Sequence, residues 1–353
     1  MKKLFAFVIT AIMVLGSFTA CSGSKASQTE LASTGDKDAA SQSVPSPGKT
    51  SIADTTSKPF RIGIVQHVDH PSLNQIRETI ISELAALGYG EDKVVIDYQN
   101  ANGDTSLLPT ILQSMISNNV DMLIPIATPT AQAAMAATTT IPIVFSAVSN
   151  PVEAGLVTSF DATTGNITGV SNSIAIEDIF ALAQQLTPKV KTFGFVYNSS
   201  EINSATGIER AKAYCDGNGI AYKEVTITGT ADLQQAASSL VGEVDAFFTP
   251  NDNTVASAMP TYLQVAMDAN LPIYVGADSM VKDGGLATVG IDYTVLGKQT
   301  AAMAIRIMNG EKISDNPVEQ IAEYAKMINQ KSADQLSITV PEEIKDEFVI
   351  LGE

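Results

Sequence analysis

From Pro59 onward the chain keeps one rhythm: a short β-rich run, a turn, then a stretch with apolar residues at helical spacing. "FRIGIVQ" (60–66) reads as a strand from its β-branched content. A helix follows His70-Pro71, with Ile76, Ile80, Leu84 and Leu87 on one face and Gly88 as its stop. Strand "KVVIDYQ" (93–99), a helix over roughly 106–118, strand "DMLIPIA" (121–127), a small-residue helix over 130–138 and strand "IPIVFSAV" (141–148) continue the series. After a loop-rich stretch, 149–175, the rhythm restarts with "TFGFVY" (192–197), a helix near 203–217, "AYKEVTI" and a helix near 231–241. "DAFFTP" (245–250), helical turns around Pro260, "LPIYVG" with a short helix, and "GLATVGI" with a long helix over 294–309 closed by Gly310 complete it. Parallel strands need a crossover between them, and a helix is the usual one. Two βα series therefore predict an α/β chain with two similar lobes, each a doubly wound, mainly parallel sheet with helices on both faces.

Open parallel sheets bind ligands outside the carboxyl ends of their strands. Those ends hold Gln66-His67, Ala127-Thr128-Pro129-Thr130, Ser146 to Asn150, Asn198 to Ser204, Pro250 to Thr254, and Gly276-Ala277-Asp278. Singly, such residues cap helices and make turns. Six ends with one polar bias, facing each other across two lobes, predict a polar cleft of the kind binding proteins use.

The chemistry motifs point away from catalysis. No G-x-x-x-x-G-K-[ST], no G-x-G-x-x-G behind a strand and no G-x-S-x-G elbow occurs. The two histidines, His67 and His70, stand as "HVDH" in a strand-to-helix loop with no third ligand nearby, so neither a metal nor a cofactor is expected. No Ser/His/Asp set singles itself out, and we expect no enzyme. The formal charge of −17 becomes −19 if Lys2 and Lys3 are lost, and no Lys/Arg run exists, which argues against nucleic acid as a partner.

The first 58 residues read differently. Lys2 and Lys3 precede "LFAFVITAIMVLGSF", an apolar core of signal-peptide length and short of the roughly 20 residues a membrane span needs. Thr19 and Ala20 lead into Cys21, and this junction resembles the bacterial lipobox, with Phe18 where Leu is usual. The resemblance implies cleavage after residue 20 and a lipid on Cys21, which anchors the protein to a membrane surface. Residues 22–58 carry only scattered apolar side chains and read as a disordered linker. About 295 residues then remain for the folded part. With Cys21 taken, Cys215 has no intrachain partner, and its place in an amphipathic helix predicts a buried, inert thiol.

The stretch "TTTIPIVFSAVSNPVEAGLVTSFDATTGNITGVSNS" (138–173) resembles the signature of ABC-importer solute-binding lipoproteins that take tryptophan, tyrosine and phenylalanine. In that family a buried strand precedes D/N-P-V-x-A-G-L-V and then G-N-[IV]-T-G-[VL]-S. The likeness extends to "GIVQHVDHPSLNQIRETI", "IATPTAQAA", "YNSSEINS", "LGKQTAAMAIRIMNGEK" and "MINQKSADQLSITVPEEI", covering essentially 60–345 in order. Asn150, where Asp is common, and "DATTGN", where Pro-Gly-Gly-Asn is usual, depart from it. The resemblance implies a type I periplasmic-binding-protein fold, a monomer that closes on one small ligand by hinge motion and hands it to a membrane permease. The lobes are expected at 59–149 plus about 287–312, and at 150–286 plus about 313–353.

An aromatic amino acid would need donors for its carboxylate, an acceptor for its ammonium and a flat or apolar wall. Helix-start N–H groups with Thr128, Thr130 and Ser146 suit the first need, and Asp278, ahead of Glu201, the second. His67, His70, Pro129 or a Tyr suit the third. Gln66, Asn150, Asn203 and Asn253 complete the candidate set. A surface sensor or adhesin of the same fold, a binder of purines or branched amino acids, and an enzyme of the cleft stay as alternatives.

Overall fold

A computed structural model of the chain describes residues 58–352 apart from 164, 322 and 323. The expected leader, Cys21 and linker lie outside the described residues. The first series runs β1 (Phe60–Gln66), α1 (Pro71–Ala86), β2 (Val94–Asn100), α2 (Leu108–Ser117), β3 (Met122–Ile126), α3 (Thr128–Ala137), β4 (Ile143–Ser146) and β5 (Ile167–Ser171). The second runs α4 (Ile176–Leu186), β6 (Thr192–Asn198), α5 (Ile202–Asn218), β7 (Ala221–Ile227), α6 (Leu233–Leu240), β8 (Ala246–Thr249), α7 (Asn253–Ser257) and α8 (Met259–Asp268). It ends with β9 (Ile273–Val275), α9 (Asp278–Lys282) and β10 (Ala287–Gly290). Then follow α10 (Tyr293–Met308), β11 (Glu319–Gln320), β12 (Ala325–Asn329), α11 (Gln330–Gln335), α12 (Glu342–Lys345) and β13 (Val349–Leu351).

These strands form two sheets, β11-β5-β4-β3-β1-β2 and β13-β12-β10-β9-β8-β6-β7. Among the described residues the named pairings are parallel except β10 with β12. Both sheets contain the same order, β2-β1-β3-β4-β5 in one and β7-β6-β8-β9-β10 in the other. The direction of winding reverses between β1 and β3, and again between β6 and β8. At such a switch point the loops part and leave a crevice at the carboxyl edge.

Sheet membership shifts the lobe borders expected from the sequence. "ITGVS" is buried throughout as β5 of the first sheet, although its Gly-rich surroundings read as loop. β10 pairs in the second sheet, and β11 returns to the first. The chain therefore crosses between lobes after β5, after β10 and between β11 and β12.

Burial follows the predicted periodicity. Ile76, Ile80 and Leu84 of α1 are buried, but Leu87 caps the helix and is 51% exposed. α1 lies against α10, where a Cβ on Gly297 would stand 2.6 Å from Cβ of Thr79, so the helices meet at a residue without a side chain. In the second lobe Phe180 packs edge-on against Phe193 at 4.8 Å and at a tilt against Phe248 at 4.9 Å. Cys215 is fully buried in α5, and burial pushes its thiol up to about 12. No helix among the described residues is long and apolar enough to cross a membrane.

Candidate functional site

The two switch points face each other, and a cleft of about 670 Å³ opens there. His67 and Val68 after β1, Pro129 in α3, Asn198 at the end of β6, Ser200 and Glu201 behind it and Thr254 in α7 all line it. Its first-lobe wall mixes apolar Val68, Leu108, Pro109, Pro129 and Ala133 with polar Asn102, Asp104, Thr105 and Gln132. Among the lining residues there is no Lys or Arg and no Phe, Tyr or Trp, so flat contact comes from His67 and the prolines.

Glu201 dominates the second-lobe wall. It sits at the N-cap position of α5, but its carboxylate accepts from no backbone N–H of that helix. Its carboxylate turns to α7 instead. Oε1 accepts from Thr254 N at 3.0 Å and Thr254 Oγ1 at 2.8 Å. Oε2 accepts from Asn253 N at 3.2 Å, Asn253 Nδ2 at 2.5 Å and Asn203 Nδ2 at 3.3 Å. Two backbone and three side-chain donors thus hold a 3% exposed carboxylate at the cleft. Neighbouring Asp252, which accepts from Asn198 N and Val255 N, is pushed up to about 7 by its burial and then by Glu201.

The first lobe presents two buried imidazoles to this charge. His70 Nε2 lies 3.4 Å from Asn253 Oδ1. Burial lowers His70 to about 4 despite Asn253 and Glu201, and lowers His67 as well, so both rings are neutral at physiological pH. Nδ1 of His67, Nδ1 of His70, Thr128 Oγ1 and Asn203 Oδ1 are buried with no partner among the described residues. Such atoms are rare in proteins and call for a partner the chain itself does not supply.

Backbone strain marks the same strand ends. Ala127 has φ +85 and Ala147 φ +59, a region that side-chain-bearing residues avoid. The turn at Ala127 starts α3, whose first-turn N–H groups have no partner within the helix.

The structure brings together His67, His70, Glu201, Asn203 and Asn253, puts Thr128 at the start of α3 next to cleft-lining Pro129, and separates the rest of the candidate set. Gln66 donates to Val68 O and Asn74 Oδ1, on the α1 side of β1. The Thr130 hydroxyl donates back to Ile126 O and Ala127 O, both at 2.7 Å. Ser146 bonds Thr300 of α10. Asn150 accepts from Glu153 N and lines a separate cavity of about 320 Å³ with Asn203 and Arg210. Asp278 pairs with Lys282 Nζ at 2.6 Å, accepts from Ser279 N and lines a third cavity with Asp292 and Tyr324. Thr254, which supplies two of the five donors to Glu201, stands in the sequence only as the last residue of the polar strand end Pro250 to Thr254, four residues behind "FFTP", and is not among the candidate residues singled out there.

Residues 61–348 match the family model of ABC transporter substrate binding protein. The chain belongs to this family. A tyrosine-binding protein of Clostridioides difficile is 35% identical over 96% of this chain and 93% of its own length. An ABC domain from Streptococcus pneumonia in complex with L-Trp is 37% identical, covers 83% of this chain and 99% of its own, and superposes with a TM-score of 0.81. A substrate-binding protein of Clostridium difficile with adhesive properties, in its ligand-free, open form, is 35% identical at the same coverage, with a TM-score of 0.64. At nearly equal identity the L-Trp complex superposes better, so the lobes here stand nearer that arrangement. As an ABC-type substrate-binding protein the molecule is extracytoplasmic, has the two-lobed type I fold, and binds a solute rather than turning it over.

Proposed function

We propose that the cleft captures an aromatic amino acid and that a membrane permease receives it. The observation that carries this reading is Glu201, an acidic group at facing switch points, near His67, His70 and Asn203, each with an unpartnered buried polar atom, in a cleft lined by no cation. Glu201 takes the ammonium, since the other candidate, Asp278, is committed to Lys282. The carboxylate, with no Lys or Arg to meet it, goes to the start of α3 and the Thr128 hydroxyl. The ring lies on Pro129, Pro109 and Leu108, and His67 covers its edge. The tyrosine- and L-Trp-binding relatives support the same class. In a thermal-shift screen of all twenty amino acids, an aromatic one is expected to give the largest rise. At 100 times Kd mass action supplies about 2.7 kcal/mol, several degrees for a chain of this size. A response to nucleobases or branched amino acids alone would sink the assignment.

We further propose that Cys21 carries a lipid and that the polar tract behind it acts as a tether, keeping the trap concentrated beside its transporter. Cys21→Ser is expected to move the protein from the membrane fraction to the medium or periplasm. Unchanged membrane association of the variant would rule the anchor out.

A further inference from the structure

Among the described residues three side-chain bonds join the lobes, Ser72 Oγ of α1 with Ser279 Oγ of α9, Asn251 with Ser149 and His70 with Asn253, and they rest on different chemistry. Asn251 Nδ2 of the second lobe donates to Ser149 Oγ of the first at 2.8 Å, and either group could find water if the lobes parted. The bond between His70 and Asn253 is different because its polarity is imposed from within one lobe. Glu201 has accepting oxygens only. Asn253 Nδ2 is therefore the atom that faces Oε2, at 2.5 Å, and Asn253 Oδ1 is the atom left for His70. An amide oxygen also only accepts, so His70 must bring a proton on Nε2. A neutral imidazole carries one N–H, which leaves Nδ1 as a lone-pair acceptor, buried and without a partner among the described residues.

Resting on the cleft as the ligand site, we propose that Asn253 is the latch of this cleft. Pinned on Glu201 in the second lobe, it captures the Nε2–H tautomer of His70 from the first, which couples closure to the carboxylate that holds the ligand's ammonium. Asn203 cannot do this, because its amide donates to Glu201 and Asn251 O, both in its own lobe. The ionisable groups around His70 are Asp69 in its own loop, His67 behind β1 and Glu201 across the cleft. Asn253 is thus a positioning residue: it raises affinity by favouring the closed form and by setting His70 Nδ1 as an acceptor.

A double-mutant cycle tests this. His70 makes no side-chain cap to α1 and Asn253 is not the cap of α7, so Ala at either place leaves the helix starts intact. Asn253→Ala is expected to weaken L-tyrosine or L-tryptophan about tenfold by calorimetry, the loss of the one hydrogen bond, to His70, that forms between the lobes. It should also enlarge the radius of gyration of the ligand-free protein in X-ray scattering. The double variant should lose no more than the larger single one, and His70→Gln, which restores an N–H donor, should recover part of the loss. Additive losses, or variants matching the wild type in both affinity and radius, overturn the latch. If the wild type takes neither amino acid, the ligand assignment fails, while the cycle in ligand-free scattering still decides for or against the latch.

Discussion

Glu201→Gln is expected to weaken binding of the cognate amino acid by about a hundredfold and to lower the melting temperature of the ligand-free protein. The first effect follows from the lost charge: an ammonium held in an enclosed cleft by a carboxylate gains about 1.5–3 kcal/mol over a neutral acceptor. The second follows from counting donors. Asn253 N, Asn253 Nδ2, Asn203 Nδ2, Thr254 N and Thr254 Oγ1 all point at Glu201. A glutamine offers one oxygen, so either the Thr254 pair or the Asn trio meets an NH₂ group. Leaving two or three buried donors unmatched costs about 2–4 kcal/mol, several degrees in Tm for a protein of this size. Calorimetry and a thermal melt on ligand-stripped protein separate the two effects. Wild-type affinity in a variant with lowered Tm would show that Glu201 only ties α5 to α7.

Affinity should also fall steeply in acid. In the closed arrangement burial holds His70 at about 4, against an ordinary value of 6.5. When the lobes part, the ring meets water and regains that ordinary value. The open form then binds a proton that the closed form refuses. A depressed histidine contributes in full above pH 6.5, and its contribution is lost as pH falls from there toward 4. Each pH unit in that window weakens closure about tenfold, so binding at pH 5.5 should be about ten times weaker than at pH 7.5. His67, lowered by the same cause, acts in the same direction. Asp252 does not enter, because it is buried inside the second lobe and its partners Asn198 and Val255 stay with it when the lobes open. His70→Gln should flatten the profile. A profile already flat in the wild type would show that His70 stays out of water in the open form.

Much of this molecule is legible in its sequence, for a physical reason. The βα rhythm, the burial of Ile76, Ile80 and Leu84 and the polar bias of the strand ends are local patterns, with periods that match strand and helix geometry. They determined an α/β chain of two lobes with a polar cleft. β5 escaped because five residues with a glycine in their middle carry too little pattern, and its strand character comes from pairing with β4.

The choice among candidate residues lay beyond the sequence. Asp278 and Glu201 look alike there, each an acid near the end of an apolar strand. Strand order separates them: β9, ahead of Asp278, lies one strand outside the β6/β8 switch point, and Lys282 one helical turn on takes its charge. The role of Asn253 depends on which atom of Glu201 faces it and on His70, 183 residues away, reaching it from the other lobe. The sequence by itself determined which elements form and that polar groups gather at their ends. Only the tertiary structure decided which of those groups share a site, because strand order and lobe closure arise from contacts far apart along the chain.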